Sequence, residues 1–212
     1  MDTSALIMNH PRIRLLTVTG GEGVVRAAMK TGKRCIAAGP VNPPVVVDAT
    51  ADIKKAAADI VKGASYENCI LCIAEKEIIV ENSVADELLR EMVNQGAYLL
   101  NGIETEKVCA AVMVKTKDGK WAPNKEFVGR DASYILKRSG VYGGEQAKVV
   151  ICDVPFEHPL VMTEMLMPVV PVTRVSTVDE AIEKAVTAEN GCHHTAMMHS
   201  KNVDNLTKMG RA

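Results

Sequence analysis

The chain has 212 residues, is 47% hydrophobic and carries a formal net charge of −1. That apolar content can bury a substantial core, and the near-neutral balance gives no footing for nucleic acid or an anionic membrane surface. No apolar run approaches the roughly 20 residues of a membrane helix, and Met1 to Pro11 show no basic segment followed by an apolar one, so neither a membrane span nor a secretory signal is expected. Only 3% of the residues are aromatic, which leaves the core to Val, Ile, Leu, Ala and Met, and six cysteines are too sparse for a secreted disulfide scaffold. Reduced thiols in the cytoplasm are the simpler expectation.

Arg14 to Val18 reads as a strand, followed by Thr19-Gly20-Gly21-Glu22 and by Val24, Val25 and Ala28 at helical spacing. Thr19 and Glu22 have the spacing of a capping box and Gly32 can close the helix. A strand, a Gly-Gly turn and a helix N-terminus form either an ordinary connection or an anion site, although Glu22 would compete with an anion. A second strand follows from Arg34 to Ala38. The prolines at 40, 43 and 44 then impose a stiff extended connector and mark a domain boundary, before the apolar run Val45-Val46-Val47.

Thr50 is placed to cap a helix whose apolar face is Ile53, Ala56, Ala57, Ile60 and Val61, ending near Gly63. Ile78-Ile79-Val80 reads as a buried strand, and Ser83 begins a helix with Val84, Leu88, Leu89 and Met92 on one face. Gly102 to Val114 is assigned as helix, Lys115 to Lys125 as a polar turn region around Asp118-Gly119, and Ala132 to Arg138 as a short helix closed by Gly140. Strands are expected at Lys148 to Cys152 and Val169 to Val172. Between Thr177, whose spacing to Glu180 suggests a complete capping box, and Asn190-Gly191 lies the best-marked helix. Thr195 to His199 reads as a last strand and Val203 to Met209 as a helix start. Strands alternating with helices predict an α/β domain with a mostly parallel sheet flanked by helices.

Between the helix ending near Gly63 and the strand at Ile78 lie Cys69 and Cys72. A cysteine in such a connector can be surrounded by backbone N–H groups and still meet a substrate, which makes Cys72 a candidate nucleophile. The C-x-x-C spacing also fits a redox pair or half of a metal site. A zinc site would want a second pair, and Cys35, Cys109, Cys152 and Cys192 are scattered singly. Cys192-His193-His194 is a loose metal-like cluster, better read as surface or packing chemistry. A thioredoxin-type pair opens a helix after a strand, whereas this pair precedes a strand. Spacing alone does not separate nucleophile from thiol module.

Four segments in order carry a resemblance: Val18-Thr19-Gly20-Gly21, Asn42-Pro43-Pro44-Val45-Val46-Val47-Asp48, Cys72-Ile73-Ala74-Glu75-Lys76-Glu77, and Glu164-Met165-Leu166-Met167-Pro168-Val169. Over nearly its whole length the chain resembles the catalytic part of the CoA-acylating aldehyde dehydrogenases, close to the acetaldehyde and propionaldehyde enzymes of ethanolamine and propanediol utilisation. The resemblance implies NAD-dependent oxidation of a small aldehyde to acyl-CoA. Cys72 would be the nucleophile, its own backbone N–H part of the oxyanion site, and coenzyme A the acyl acceptor. Thr19, Gly20 and Gly21 would fall in the turn facing the nicotinamide cofactor, and Glu164 would hold the nicotinamide ribose. Cys69 has no role in the pattern, and no metal is implied. Ala37 stands where hydrolytic relatives carry a glutamate that activates water, which favours a thiol over water as acceptor. Val41 departs from the glycine usual there.

By the same resemblance, residues 1–42 would be a remnant of the nucleotide-binding domain and 43–212 the catalytic domain, lacking its C-terminal end and oligomerisation segment. The expectation is a catalytic fragment with little turnover alone, whose intact form is a homo-oligomer in the cytoplasm or inside a bacterial microcompartment, near its shell. The other reading is a non-catalytic redox or metal-binding module using Cys69 and Cys72.

Overall fold

A computed structural model describes residues 3–39 and 41–212. Two units separate between Val41 and Asn42.

The first unit holds helix α1 (Thr3–Asn9) and a parallel βαβ element: β1 (Leu15–Thr19), α2 (Glu22–Met29) and β2 (Arg34–Ala38). Leu16, Val18 and Ala28 form its small core, with Met8, Ile13 and Cys35 packed around them. The N-cap of α2 is Gly21, two residues beyond the Thr19 expected from capping-box spacing, and it makes no side-chain cap. Thr19 instead ends the strand, paired with Ala38.

The second unit begins with β3 (Pro44–Val47), α3 (Ile53–Ser65), β4 (Glu77–Glu81), α4 (Asn82–Asn94), β5 (Ala97–Leu100) and α5 (Gly102–Val112). A small antiparallel hairpin, β6 (Met113–Lys115) and β7 (Trp121–Pro123), occupies most of the expected turn region. Then come α6 (Ala132–Arg138), β8 (Val149–Asp153), β9 (Val169–Val175), α7 (Val178–Ala188), β10 (Met197–His199) and α8 (Val203–Met209). Six strands form a wholly parallel sheet in the order β10-β3-β4-β9-β8-β5.

Parallel strands covered on both faces read as continuous apolar runs, and Val45, Val46, Val47, Ile78, Ile79 and Val80 are all fully buried. Alternate residues serve opposite layers. Val45, Val47, Ile78 and Val80 meet α3 and α4 through Ile60, Val61, Leu88 and Met92. Val46 and Ile79 meet Ala181 and Ala185 of α7, while Val150 and Cys152 meet a third cluster built on α5 and α6. The α/β architecture read from the sequence is the one observed.

Local capping differs from expectation at two points. Asp52, not Thr50, caps α3, accepting from Lys55 N–H at 3.2 Å. Thr50 is held away by Asp48, to which it donates through both its N–H and its hydroxyl. At α7 Thr177 accepts from Glu180 N–H, but the Glu180 carboxylate takes the N–H of Ser176 rather than that of Thr177, so the box is half-formed. The complete box belongs to α5, between Asn101 and Glu104.

Candidate active site

Because β3, β4 and β9 are adjacent and parallel, the segments entering them gather at one end of the sheet. Asn42-Pro43 precedes β3, Cys69 to Lys76 precedes β4, and Glu164 to Pro168 precedes β9. The residues at 193–195 enter the neighbouring β10. Three of the four segments carrying the resemblance therefore converge because of topology alone.

The cysteine loop leaves α3 by a sharp left-handed turn. Glu67, Asn68 and Cys69 have φ of 48°, 53° and 58° in succession, a region that side-chain-bearing residues enter at a cost of about 1 kcal/mol or more each. Contacts on both sides offset that cost. Asn68, the residue type most tolerant of this region after glycine, donates its amide to Gly129 O at 3.0 Å and to the Asp131 carboxylate at 2.9 Å. Gly129 N–H in turn donates to Leu166 O at 2.9 Å, which links the loop to the Glu164 segment.

On the inner side lies Lys76, 1% exposed and tied to the segment before β3 by its N–H on Pro43 O. Its Nζ donates to Cys69 O at 2.5 Å and to Leu71 O at 3.0 Å, and lies 3.4 Å from Cys69 Sγ. A lysine amine at this depth is tolerable only with such a set of acceptors. The Cys69 thiol, fully buried, donates to Glu75 O at 3.3 Å, and burial raises its pKa against the opposing charge of Lys76.

Cys72 follows the turn and is partly exposed. The four other cysteines are of different kinds. Cys152 is entirely enclosed, with its thiol pushed up to about 12 by burial, and Cys109 and Cys192 are also raised by burial. Cys35 lies in the first unit, on β2.

Glu164 is half-buried in the segment before β9; the thiols of Cys69 and Cys192 are raised first by burial and, to a lesser degree, by its charge. Thr19, Gly20 and Gly21 lie in the first unit at the β1–α2 turn, and Ala37 lies exposed on β2 opposite Val18. The structure thus brings Cys72, Cys69 and Glu164 to one end of a sheet, while the glycine turn belongs to the other unit. Among the described residues no group of three or more His, Cys, Asp or Glu could hold a metal ion.

Residues that sequence reasoning passed over complete the site. Lys76 and Asn68 hold the loop from opposite sides. Glu77 starts β4 at 1% exposure, with neither carboxylate oxygen hydrogen-bonded, and Asn42 Oδ1 is likewise unpartnered although its amide nitrogen donates to Val161 O and Ala188 O. Burial and then the charge of Glu189 raise the Glu77 pKa well above the ordinary carboxylate value, although Lys76 opposes this. The available signal was Glu75-Lys76-Glu77 lying directly before a buried strand, where a charged triplet is out of place. Beside the loop, a cavity of about 340 Å³ opens among Asp59, Lys62, Gly63, Tyr66, Leu71 and Glu75.

The model of the aldehyde dehydrogenase family matches residues 1–212. Among curated relatives, the acetaldehyde dehydrogenase (acetylating) EutE of Salmonella typhimurium is 49% identical over 215 residues, covering 100% of this chain and 46% of the relative. The chain spans about half the length of the curated relatives it matches. A structure of Rhodopseudomonas palustris propionaldehyde dehydrogenase with bound CoA and an acylated cysteine is 42% identical, with a TM-score of 0.90 over 97% of this chain and 46% of that one. A propionaldehyde dehydrogenase from the Clostridium phytofermentans fucose utilisation bacterial microcompartment is also 42% identical, with a TM-score of 0.91 over 98% of this chain and 47% of that one. Together with the parallel sheet and the cysteine loop at its end, these matches show that the chain belongs to the aldehyde dehydrogenase family.

Proposed function

We propose that this chain is the catalytic part of an enzyme that oxidises a short-chain aldehyde to its acyl-CoA, with NAD as hydride acceptor and Cys72 as nucleophile. The observation that carries the reading is the contrast between the two neighbouring thiols: Cys69 is sealed and raised by burial, while Cys72 is partly exposed on a loop fixed from both sides. Burial keeps Cys69 largely as the unreactive thiol, which disfavours its exchange with Cys72 as a redox pair.

In this reading Cys72 Sγ bonds to the aldehyde carbon to form a thiohemiacetal, and the Cys72 N–H faces the new oxyanion. The nicotinamide supplies the hydride acceptor, and loss of hydride from the adduct leaves a thioester on Cys72. The sulfur of CoA then attacks the thioester carbonyl and the Cys72 thiolate leaves. Glu164 offers a half-buried carboxylate to ribose hydroxyls, and Thr19, Gly20 and Gly21 contribute the turn at the N-terminus of α2. Ala37 stands where hydrolytic members of the family carry the glutamate that activates water, so the resemblance implies that this base is lacking, whereas a CoA thiol ionises appreciably unaided.

The partners are then a small aldehyde and further copies of the same chain in a homo-oligomer. The location we propose is the cytoplasm, inside a bacterial microcompartment, and likeness to the Clostridium phytofermentans enzyme from such a compartment supports the encapsulated part of that reading. The test places this sequence in a polypeptide of its relatives' full length and supplies aldehyde, NAD and CoA. Acyl-CoA and NADH should appear in equal amounts, and Cys72→Ala should abolish both. Equally fast NADH formation without CoA, yielding free acid, would refute the reading.

A further inference from the structure

The Lys76 side chain has no place in the reaction just described, yet it is among the most deeply buried large side chains of the protein. Its Nζ points back under the cysteine loop, 3.0 Å from Leu71 O. Leu71 C=O and Cys72 N–H are the two ends of one peptide unit. That unit is planar and trans, so its carbonyl and N–H point in opposite directions. Fixing Leu71 O on the buried side fixes Cys72 N–H on the other. Ala74 N–H also donates to Leu71 O, at 3.1 Å, and Nζ reaches Cys69 O as well, so the carbonyls on the inner side of the loop converge on one positive group. Cys72 N–H itself engages no acceptor among the described residues. Donation to a carbonyl also withdraws charge from its peptide and makes the attached N–H a stronger donor.

We propose that Lys76 is a positioning residue for acyl transfer: by holding the Leu71 carbonyl it aims and polarises the Cys72 N–H toward the oxyanion formed on the substrate. Lys76 touches no substrate and acts through the peptide plane. This inference rests on Cys72 being the acylated nucleophile.

The test compares two reactions at the same sulfur. Acylation by p-nitrophenyl acetate passes through a tetrahedral oxyanion, whereas alkylation by iodoacetamide displaces iodide and forms none. The thiolate fraction enters both rates equally and cancels in their ratio. Neither reaction needs NAD or CoA, so the 212-residue chain serves. Wild type and Lys76→Met are treated with limiting reagent, p-nitrophenolate release and alkylation are timed, and both adducts are mapped by peptide mass. Lys76→Met should slow acylation of Cys72 by roughly tenfold to a hundredfold, less than the about 10²–10³ seen when an oxyanion donor is removed outright. Alkylation should change by less than about threefold, on the ordinary selectivity of a reaction without an oxyanion. Lys76→Gln retains N–H donors without the charge and should fall between, and it carries the same comparison if the methionine variant does not fold.

An unchanged ratio of the two rates, whether both fall together or neither falls, overturns the role of Lys76 and leaves Cys72 as nucleophile. A wild-type chain alkylated at Cys72 but acylated at another residue, or not at all, refutes the acyl-transfer reading and the inference with it.

Discussion

The left-handed turn at Glu67, Asn68 and Cys69 makes Asn68 the most informative position to perturb. In Asn68→Ala two things are lost. The hydrogen bond to Gly129 O is worth about 1 kcal/mol, and the one to Asp131, whose carboxylate is exposed, about 1 kcal/mol after allowing for solvent screening. Alanine at φ 53° adds about 1 kcal/mol of backbone cost that asparagine largely escapes. The total is about 3 kcal/mol. Asn68→Gly loses the same hydrogen bonds but relieves the backbone, and the greater freedom of the unfolded chain adds about 0.5 kcal/mol, so about 2.5 kcal/mol is expected. Urea denaturation of wild type and both variants measures the difference, with iodoacetamide modification of Cys72 followed in parallel. Alanine should be the more destabilised by about 0.5 kcal/mol, the backbone cost less the entropy that glycine adds to the unfolded chain. Equal losses, or a greater loss for glycine, would refute the claim that the turn is strained and held by this side chain.

Gly63 is the second test of the loop: a Cβ there would stand 2.2 Å from Glu75 Oε2 and 2.3 Å from Oε1. Gly63→Ala should displace the Glu75 carboxylate, which burial holds above its ordinary pKa, and NMR titration should find that pKa lowered toward the usual range. The helix gains about 1 kcal/mol from alanine, which offsets most of the rearrangement, so the melting temperature should move little; a large fall would show that Glu75 is not free to swing away. The third test concerns Glu77. Its folded pKa is raised, so the folded state favours the protonated form, and this contribution is complete below the unfolded value of about 4.3 and is lost as pH rises toward the folded one. The stability of Glu77→Gln relative to wild type should therefore increase between pH 5 and pH 7.5, and a constant difference would contradict the buried, unpaired placement.

The legible parts of the fold are those where burial follows a period. Ile53, Ala56, Ala57, Ile60 and Val61 all face the sheet, and the valine and isoleucine runs became central strands, because a face shared by many residues writes itself into local sequence. β5 went unseen because its four residues alternate irregularly, with Leu99 40% exposed beside buried Leu100. Caps were misplaced where two competent residues lie close together, as at Thr50 and Asp52, since a distant partner such as Asp48 decides between them.

The site was legible only in part. Cys72 and Glu164 come from the ordered segments of the resemblance, and the parallel sheet explains why segments far apart in sequence meet. Asn68 carried no local mark of its role, since a left-handed asparagine is a consequence of tertiary packing, while Lys76 and Glu77 were marked only by a charged triplet directly before a buried strand, which does not say what the charges hold. Cys69 has no role in the resemblance, yet its carbonyl and sulfur are part of what holds Lys76 in place.

The most direct measurement of the central claim is the acyl-enzyme itself. The protein is incubated with an acyl-CoA, the excess is removed, and the denatured chain is digested at acidic pH and mapped by mass spectrometry. An acyl mass on the peptide containing Cys72, on its sulfur and released by added thiol, is the predicted result. An acyl group on Cys69, Cys192 or another residue, or a Cys69–Cys72 disulfide in place of any thioester, would contradict it.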